Sequence, residues 1–354
     1  MSAPSTPSRN PEDKSGTQSP TSPSQTHHKV DRYGWYVDEN KEVSPQEKKL
    51  REKDSKIEQQ RVDEWMKMYN NWIYYSGKGR EKLCEFIRHG IPDSCRERAW
   101  KIILQPDFLN PLADTSVDLD SLINKGATSV WRTIEADLDR TMPNCPMFYN
   151  DKCLNSLRRI LKAYSNQDPE LGYTQGMSFI AAMLLLYLDE NTAYNCFAKL
   201  MSGEKHLLRN HFLPGFPRYK EILKIWDVVF RAKYPKVHEH LLRLNCDSNF
   251  YTPSWFLTGF LNVEFPPIIR LHIFDCWIEF GSRALLSFAL VIISRNKKAL
   301  VSDPFELILP NLQNPQNLPT MQDWRYLLKK YDKLWISEKD YIKYCNMAKV
   351  PAFP

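Results

Sequence analysis

The stretch that decides the fold is Gly172-Tyr173-Thr174-Gln175-Gly176-Met177-Ser178, followed by Phe179-Ile-Ala-Ala-Met-Leu-Leu-Leu-Tyr-Leu188. Two glycines frame a turn, and the turn opens a run that is apolar on every side, the pattern of a helix enclosed by other helices. Working outward, Leu154, Leu157, Arg158, Leu161 and Tyr164 keep helical spacing and predict a helix ending before Asp168-Pro169. Tyr219 to Phe230 and Trp255 to Leu261 continue the helical pattern, with Pro214-Gly215 and Pro266-Pro267 marking loops. From Leu83 onward strand alternation is hard to find and no repeat of fixed period is evident, so the expected fold class is all-α and not a solenoid.

Toward the amino terminus, Pro45 suits a first helical turn and predicts one helix from about Pro45 to Tyr75. Val62, Trp65, Met66, Tyr69, Trp72 and Ile73 would form its apolar stripe, making it an amphipathic arm whose aromatic end packs on the domain. Before it, Asp31-Arg-Tyr33-Gly34-Trp35-Tyr36 is an aromatic patch able to dock on the folded body. Residues 1–30 are rich in Ser, Thr and Pro and almost free of aliphatics, a composition expected to stay disordered. Thr6-Pro7, Ser19-Pro20 and Ser22-Pro23 there would suit a proline-directed kinase, although such dipeptides are common in tails. The organisation expected is a tail at 1–30, an aromatic patch and helical arm at 31–82, a helical domain at 83–314, and a helical extension at 315–354. In that extension Trp324 to Tyr344 forms a last helix or two, with Trp335 as an anchor.

The chain has 354 residues and is 42% hydrophobic, enough to bury a substantial core. Its net charge of +6 is small and its charges of both signs alternate, which gives no reason to expect nucleic acid. Eight cysteines are scattered without a C-x-x-C pair, consistent with free thiols in a reducing compartment. The start lacks a secretory pattern, and the longest apolar runs fall well short of the roughly 20 residues that span a bilayer. The expectation is a cytoplasmic protein without a transmembrane segment, peripheral on endomembranes only through a partner.

Two short segments carry the chemistry. Ile134-Glu-Ala-Asp137-Leu-Asp-Arg140-Thr141 puts an arginine near the end of a helical stretch, where Thr141-Met142-Pro143 breaks the helix. The Gly172–Met177 turn presents Gln175, with Gly172 and Gly176 expected to permit close approach of a foreign backbone or phosphate. A guanidinium that neutralises a transferring phosphoryl and an amide that orients water are what GTP hydrolysis needs. Yet Ser76-Gly77-Lys78-Gly79-Arg80 lacks the upstream glycine, the hydroxyl residue and the preceding strand of a phosphate-binding loop, and reads as a plain loop. Arg140 and Gln175 would therefore act on GTP held by another protein. His238-Glu239-His240 places its imidazoles on different helix faces, so no metal site is expected, and His206 and His211 read as a polar loop or helix face.

The chain resembles the TBC domain family of GTPase-activating proteins for Rab GTPases, from about Gly90 to Asn314. The resemblance rests on Gly90-Ile91-Pro92 with Arg96 and Trp100, on Ile134 to Thr141, on Tyr173 to Met177, and on Trp255-Phe256-Leu257-Thr258, Phe265-Pro266-Pro267 and Asp303-Pro304-Phe305-Glu306. It implies a multi-helix domain of two helical subdomains. It also implies a dual-finger mechanism in which Arg140 is an arginine finger and Gln175 a glutamine finger, supplied in trans. Such a protein is not an enzyme in the strict sense: it has no cofactor of its own, GTP and Mg sit on the partner, and the partner is a Rab in its GTP form. Vesicle trafficking is the process so regulated; the alternative is a non-catalytic Rab-binding scaffold or effector. Asp137 lies on the Arg140 face and would hold the guanidinium, Tyr173 reads as a positioning residue, and Arg96 and Trp100 look like a structural pair beneath the site, with Arg96 bracing the Arg140 helix. One departure is Phe274 before Asp275, where the family usually has a tryptophan: the apolar bulk stays and an indole donor is lost.

Overall fold

A computed structural model describes residues 29–35, 43–104, 117–203 and 205–352. The tail to residue 28, its Ser/Thr-Pro dipeptides and Tyr36 lie outside the described residues. Among the described residues all regular structure is helical, with no β-strand.

The arm begins as expected. Ser44 caps α1 (Pro45–Asn70) by accepting from the Glu47 amide at 3.2 Å, with Pro45 in the first turn. The single helix expected to reach Tyr75 is instead two, because the chain turns at Asn71 (φ −130°) before α2 (Trp72–Ser76). The buried face of α1 is Trp65, Met68 and Tyr69, while Met66 is 47% and Ile73 90% exposed. Tyr69 fixes that face by donating from its hydroxyl to the Cys95 carbonyl at 2.7 Å, and the break at Asn71 carries Ile73 away from it. Gly77 to Gly79 turn the chain into α3 (Arg80–His89), so the Ser76–Arg80 stretch is a link between helices.

After α4 (Asp93–Leu104) and the short α5 (Leu119–Ile123), the amino-terminal half gathers around one apolar helix. α6 (Trp131–Leu138), α7 (Asp151–Gln167) and α9 (Glu190–Ser202) all pack on α8 (Met177–Leu185). Every residue of α8 except Phe179 is buried, so it has no face to give to water and needs neighbours on all sides. α7 is capped by Asn150, which accepts from the Lys152 amide at 2.9 Å, and it stops at Asp168 as the following Pro169 demands.

Through α10 (Leu208–Phe212) the chain enters the carboxy-terminal half, built from α11 (Pro217–Lys233), α12 (Pro235–Arg243), α13 (Pro253–Phe256), α14 (Pro267–Phe280), α15 (Ser282–Asn296), α16 (Ala299–Ser302) and α17 (Phe305–Gln313). Its axis is α14, buried at every position from Ile269 to Phe280, and packed on α15 as well as on α3 and α4 of the first half. The helix expected over Trp255 to Leu261 ends after one turn: Gly259 (φ +59°) and Phe260 (φ +64°) fold the chain back, and a Cβ on Gly259 would lie 2.4 Å from the Trp277 ring. That contact leaves room only for glycine, and the indole of Trp277 takes the space a helix would fill. The extension is two helices, α18 (Trp324–Lys333) and α19 (Glu338–Ala348), with Trp335 between them packed on Phe280 at 4.8 Å and Tyr331 at 5.5 Å.

Candidate functional site

α6 buries Ile134, Asp137 and Leu138, an i, i+3, i+4 set that seats one face on the core. The helix stops at Leu138, two residues before Arg140, and Met142 (φ +52°) turns the chain away. Arg140 is thus left on the loop past a helix end with its side chain 52% exposed, while Asp137 one turn earlier is buried. Nη2 of Arg140 pairs with Oδ1 of Asp137.

The Gln175 turn is braced from three sides. Asp168 accepts from Arg209 through both oxygens, at 2.6 and 3.1 Å, and its carbonyl takes the Gly172 amide at 2.7 Å. Arg209 first, against the opposing effect of burial, holds the Asp168 carboxyl below its ordinary range. Thr174 donates from Oγ1 to the Phe212 carbonyl at 3.1 Å, and Gly176 packs its Cα side against Thr258. Gln175 is exposed between them, and no hydrogen bond ties its amide to another described residue.

The chain's own packing already calls for glycine at both positions. Both hold positive φ, +63° at Gly172 and +106° at Gly176, and a Cβ there would meet Val130 at 3.4 Å and Thr258 at 3.2 Å. Their bare sides face Val130 and Thr258 of this chain.

The two segments are joined below the exposed pair. Tyr173, 6% exposed, donates from its hydroxyl to Asp137 Oδ2 at 2.7 Å. Thr141 Oγ1 and Ser178 Oγ share a hydrogen bond at 2.8 Å, linking the residue after Arg140 to the second residue of α8. Burial, assisted by the Asp137 carboxylate, pushes the Tyr173 phenol up and keeps it a donor. Chemically, the arrangement offers an exposed guanidinium and an exposed amide on two loops that cannot move independently.

Arg96 and Trp100 meet elsewhere. Arg96 donates from Nε to Asp275 at 3.1 Å, from Nη1 to Asp93 at 2.7 Å and Tyr187 at 3.0 Å, and from Nη2 to the Ile91 carbonyl at 2.7 Å. None of these partners lies on α6, so Arg96 braces α4 against α14 and the end of the α8 segment instead of the Arg140 helix. Trp100 Nε1 donates to Asp275 at 2.8 Å while its ring meets Phe274 edge-on at 4.9 Å, so Asp275 receives an indole hydrogen bond despite phenylalanine at 274. Burial pushes the Asp275 carboxyl up and the Arg96 guanidinium opposes it. Sequence reasoning passed over Asp275 as an anchor, although an acid between Ile273-Phe274 and Cys276-Trp277-Ile278 signals a buried cation.

His206 and His211 are not on a polar face. Both are buried, and burial pulls them down to about 4 and about 3, respectively. His238 instead pairs with Asp227 at 2.7 Å. Among the described residues no group of three or more His, Cys, Asp or Glu is placed to hold a metal, no helix is long and apolar enough to cross a membrane, and the eight cysteines are unpaired.

Residues 93–301 match the family model described as the Rab-GTPase-TBC domain, and the chain belongs to that family. Among individual relatives, it is 32% identical over 281 residues to the GTPase-activating protein GYP5 of Eremothecium gossypii, covering 77% of this chain and 32% of that protein. It is 30% identical over 253 residues to GYP5 of Saccharomyces cerevisiae, covering 71% of this chain and 27% of that one. The chain thus spans about a third of the length of these curated relatives. Two solved structures share the fold: the Chlamydomonas flagellar RabGAP TBC domain (TM-score 0.63, 20% identity, 85% of this chain and 98% of that one) and the Ypt/Rab-GAP domain of Gyp1p (TM-score 0.60, 17% identity, 75% and 92%).

Proposed function

We propose that this chain is a GTPase-activating protein for a Rab-family GTPase, with Arg140 and Gln175 completing the partner's active site in trans. The observation that carries the reading is the shared footing of the two side chains: each is exposed, and each sits on a loop tied to the other through Asp137–Tyr173 and Thr141–Ser178. GTP and Mg belong to the partner. Arg140 places its planar fork against the oxygens of the transferring phosphoryl, and Gln175 orients the attacking water by accepting from and donating to it. Asp137 limits the rotamers of Arg140, and Tyr173 limits Asp137. Preorganisation of this kind lowers the barrier because the charged groups need not reorganise as the transition state forms. The naming of GYP5 and Gyp1p as GTPase activators supports the same reading. On it, the protein works in the cytoplasm and meets endomembranes through the GTPase, regulating vesicle trafficking.

The test is single-turnover GTP hydrolysis by a panel of Rab proteins with wild type, Arg140→Ala and Gln175→Ala. Acceleration that collapses in both variants is the expected result. GTP-dependent binding with unaltered turnover across the panel would overturn it in favour of a scaffold.

A further inference from the structure

Residues 31–35 form a built element, not a loose lead. Asp31 Oδ1 accepts from the amides of Tyr33 at 2.9 Å and Trp35 at 3.0 Å, and the Asp31 amide donates back to the Trp35 carbonyl at 2.8 Å. Gly34, at φ +83°, closes this turn. Trp35 is 3% exposed and takes the guanidinium of Arg270 over its ring at 5.0 Å. Arg270 is itself buried on α14, its Nε has no hydrogen-bond partner among the described residues, and the indole face adds to the compensation that Glu264 and Asp31 give its charge. Arg32 pairs with Glu58, which also accepts from the Asp93 amide at 3.1 Å and so reaches the start of α4.

The same turn touches the arginine loop. Cys145, fully buried, donates from Sγ to the Gly34 carbonyl at 3.6 Å. Cys145 closes the turn that starts at Met142, its amide donating to the Met142 carbonyl at 3.0 Å, and Met142 lies two residues after Arg140. Asn144 is tied to Glu264 at 2.9 Å, three residues before α14 begins.

We infer that the Asp31–Trp35 turn is a clip that positions the Arg140 loop, with Trp35 as the positioning residue that anchors the turn on Arg270 while its Gly34 carbonyl holds Cys145. The clip lies some sixty residues before the matched family region, so the working unit of this chain extends well upstream of residue 93. Its catalytic part rests on the proposed activator function, because Trp35 is buried and acts only through the loop. Displacing a reacting group by about an ångström costs up to about 100-fold in rate, so loosening the clip should slow the chemical step without weakening partner binding.

The experiment uses the full chain as wild type, Trp35→Ala, Trp35→Phe and Gly34→Ala. Gly34→Ala strains the turn but removes no core atom, since a Cβ there meets nothing within 4 Å. Hydrogen exchange of residues 141–149 is measured first and needs no GTPase. Faster exchange there in Trp35→Ala and Gly34→Ala, with Trp35→Phe near wild type and α15 unchanged, is expected; unchanged exchange in both loosened variants overturns the clip. Single-turnover hydrolysis at saturating activator then reads function. A fall of about 10-fold or more with the half-saturating concentration kept within about twofold supports positioning. A fall in affinity alone overturns it. If wild type accelerates no GTPase, the activator reading fails while the exchange result still decides whether the clip holds the loop.

Discussion

The phenol of Tyr173 donates a 2.7 Å hydrogen bond to Oδ2 of the buried Asp137, whose Oδ1 pairs with Arg140. One carboxylate therefore couples two motifs that are thirty-odd residues apart. An exposed ion pair alone is worth little, but Asp137 is buried and held from behind, so it presents a fixed acceptor to a side chain that is half in solvent.

Arg140→Lys should fail nearly as badly as Arg140→Ala, with stimulated hydrolysis reduced about 10³ to 10⁵-fold if Arg140 behaves as arginine fingers do. An ammonium is a point charge and cannot bridge two oxygens as a planar fork does. Single-turnover rates for the two variants decide this, and a lysine variant retaining most of the wild-type acceleration would refute the bidentate role.

Tyr173→Phe removes one donor and leaves Asp137 Oδ2 buried without it, a loss of about 1–3 kcal/mol in stability. The stimulated rate should also fall more than the affinity for the GTPase does. Urea unfolding and a saturation series on the same variant give both numbers. Equal losses in rate and affinity would show that the phenol serves binding instead.

Asp275→Ala takes the buried carboxylate from Arg96 Nε and the acceptor from the Trp100 indole, leaving Arg96 with Asp93, Tyr187 and the Ile91 carbonyl. Breaking one side of a buried pair costs up to about 3–5 kcal/mol, the remaining Asp93 partner lowering that figure, whereas replacing both partners by apolar residues of similar volume costs far less. Urea midpoints should therefore rank wild type and the Arg96→Met, Asp275→Leu double variant well above Asp275→Ala. A double variant as unstable as the single one would contradict this account.

Acid should destabilise the fold before most carboxylates titrate. Burial pulls His206, His211 and His272 down to about 4, about 3 and about 3, whereas an unfolded histidine titrates near 6.5. Between those values the unfolded chain binds protons that the folded chain does not. The contribution is thus complete above pH ~6.5 and is lost as pH falls toward the folded values, on the order of 1 kcal/mol per site per pH unit. The urea midpoint should drop measurably from pH 7.5 to 5.5; a flat profile would mean these histidines are not neutral and buried.

Helical periodicity made α7 and α11 readable, because an i, i+3, i+4 pattern is local and survives in one dimension, and an unbroken apolar run marked α8. It misled where a turn interrupts the count. The stripe drawn through Met66 and Ile73 ignored the break at Asn71, and the pattern over Trp255 to Leu261 ran across Gly259, whose need for positive φ comes from Trp277 on another helix. His206 and His211 looked polar beside Lys205 and Arg209, yet burial depends on what lies opposite in space.

The amino-acid sequence by itself determined the all-helical class and the presence of an arginine and a glutamine in two motifs, since both are written in contiguous residues. Only the tertiary structure decided which distant polar groups share a buried partner: Tyr173 joins Arg140 on Asp137, Arg96 and Trp100 meet on Asp275, and Trp35 lies over Arg270. Apart from the Arg140–Asp137 pair, such pairings join residues from about three dozen to more than two hundred positions apart. The physical reason is that desolvation penalises an unpaired charge wherever its partner sits in the chain, and so leaves no periodic trace in the sequence.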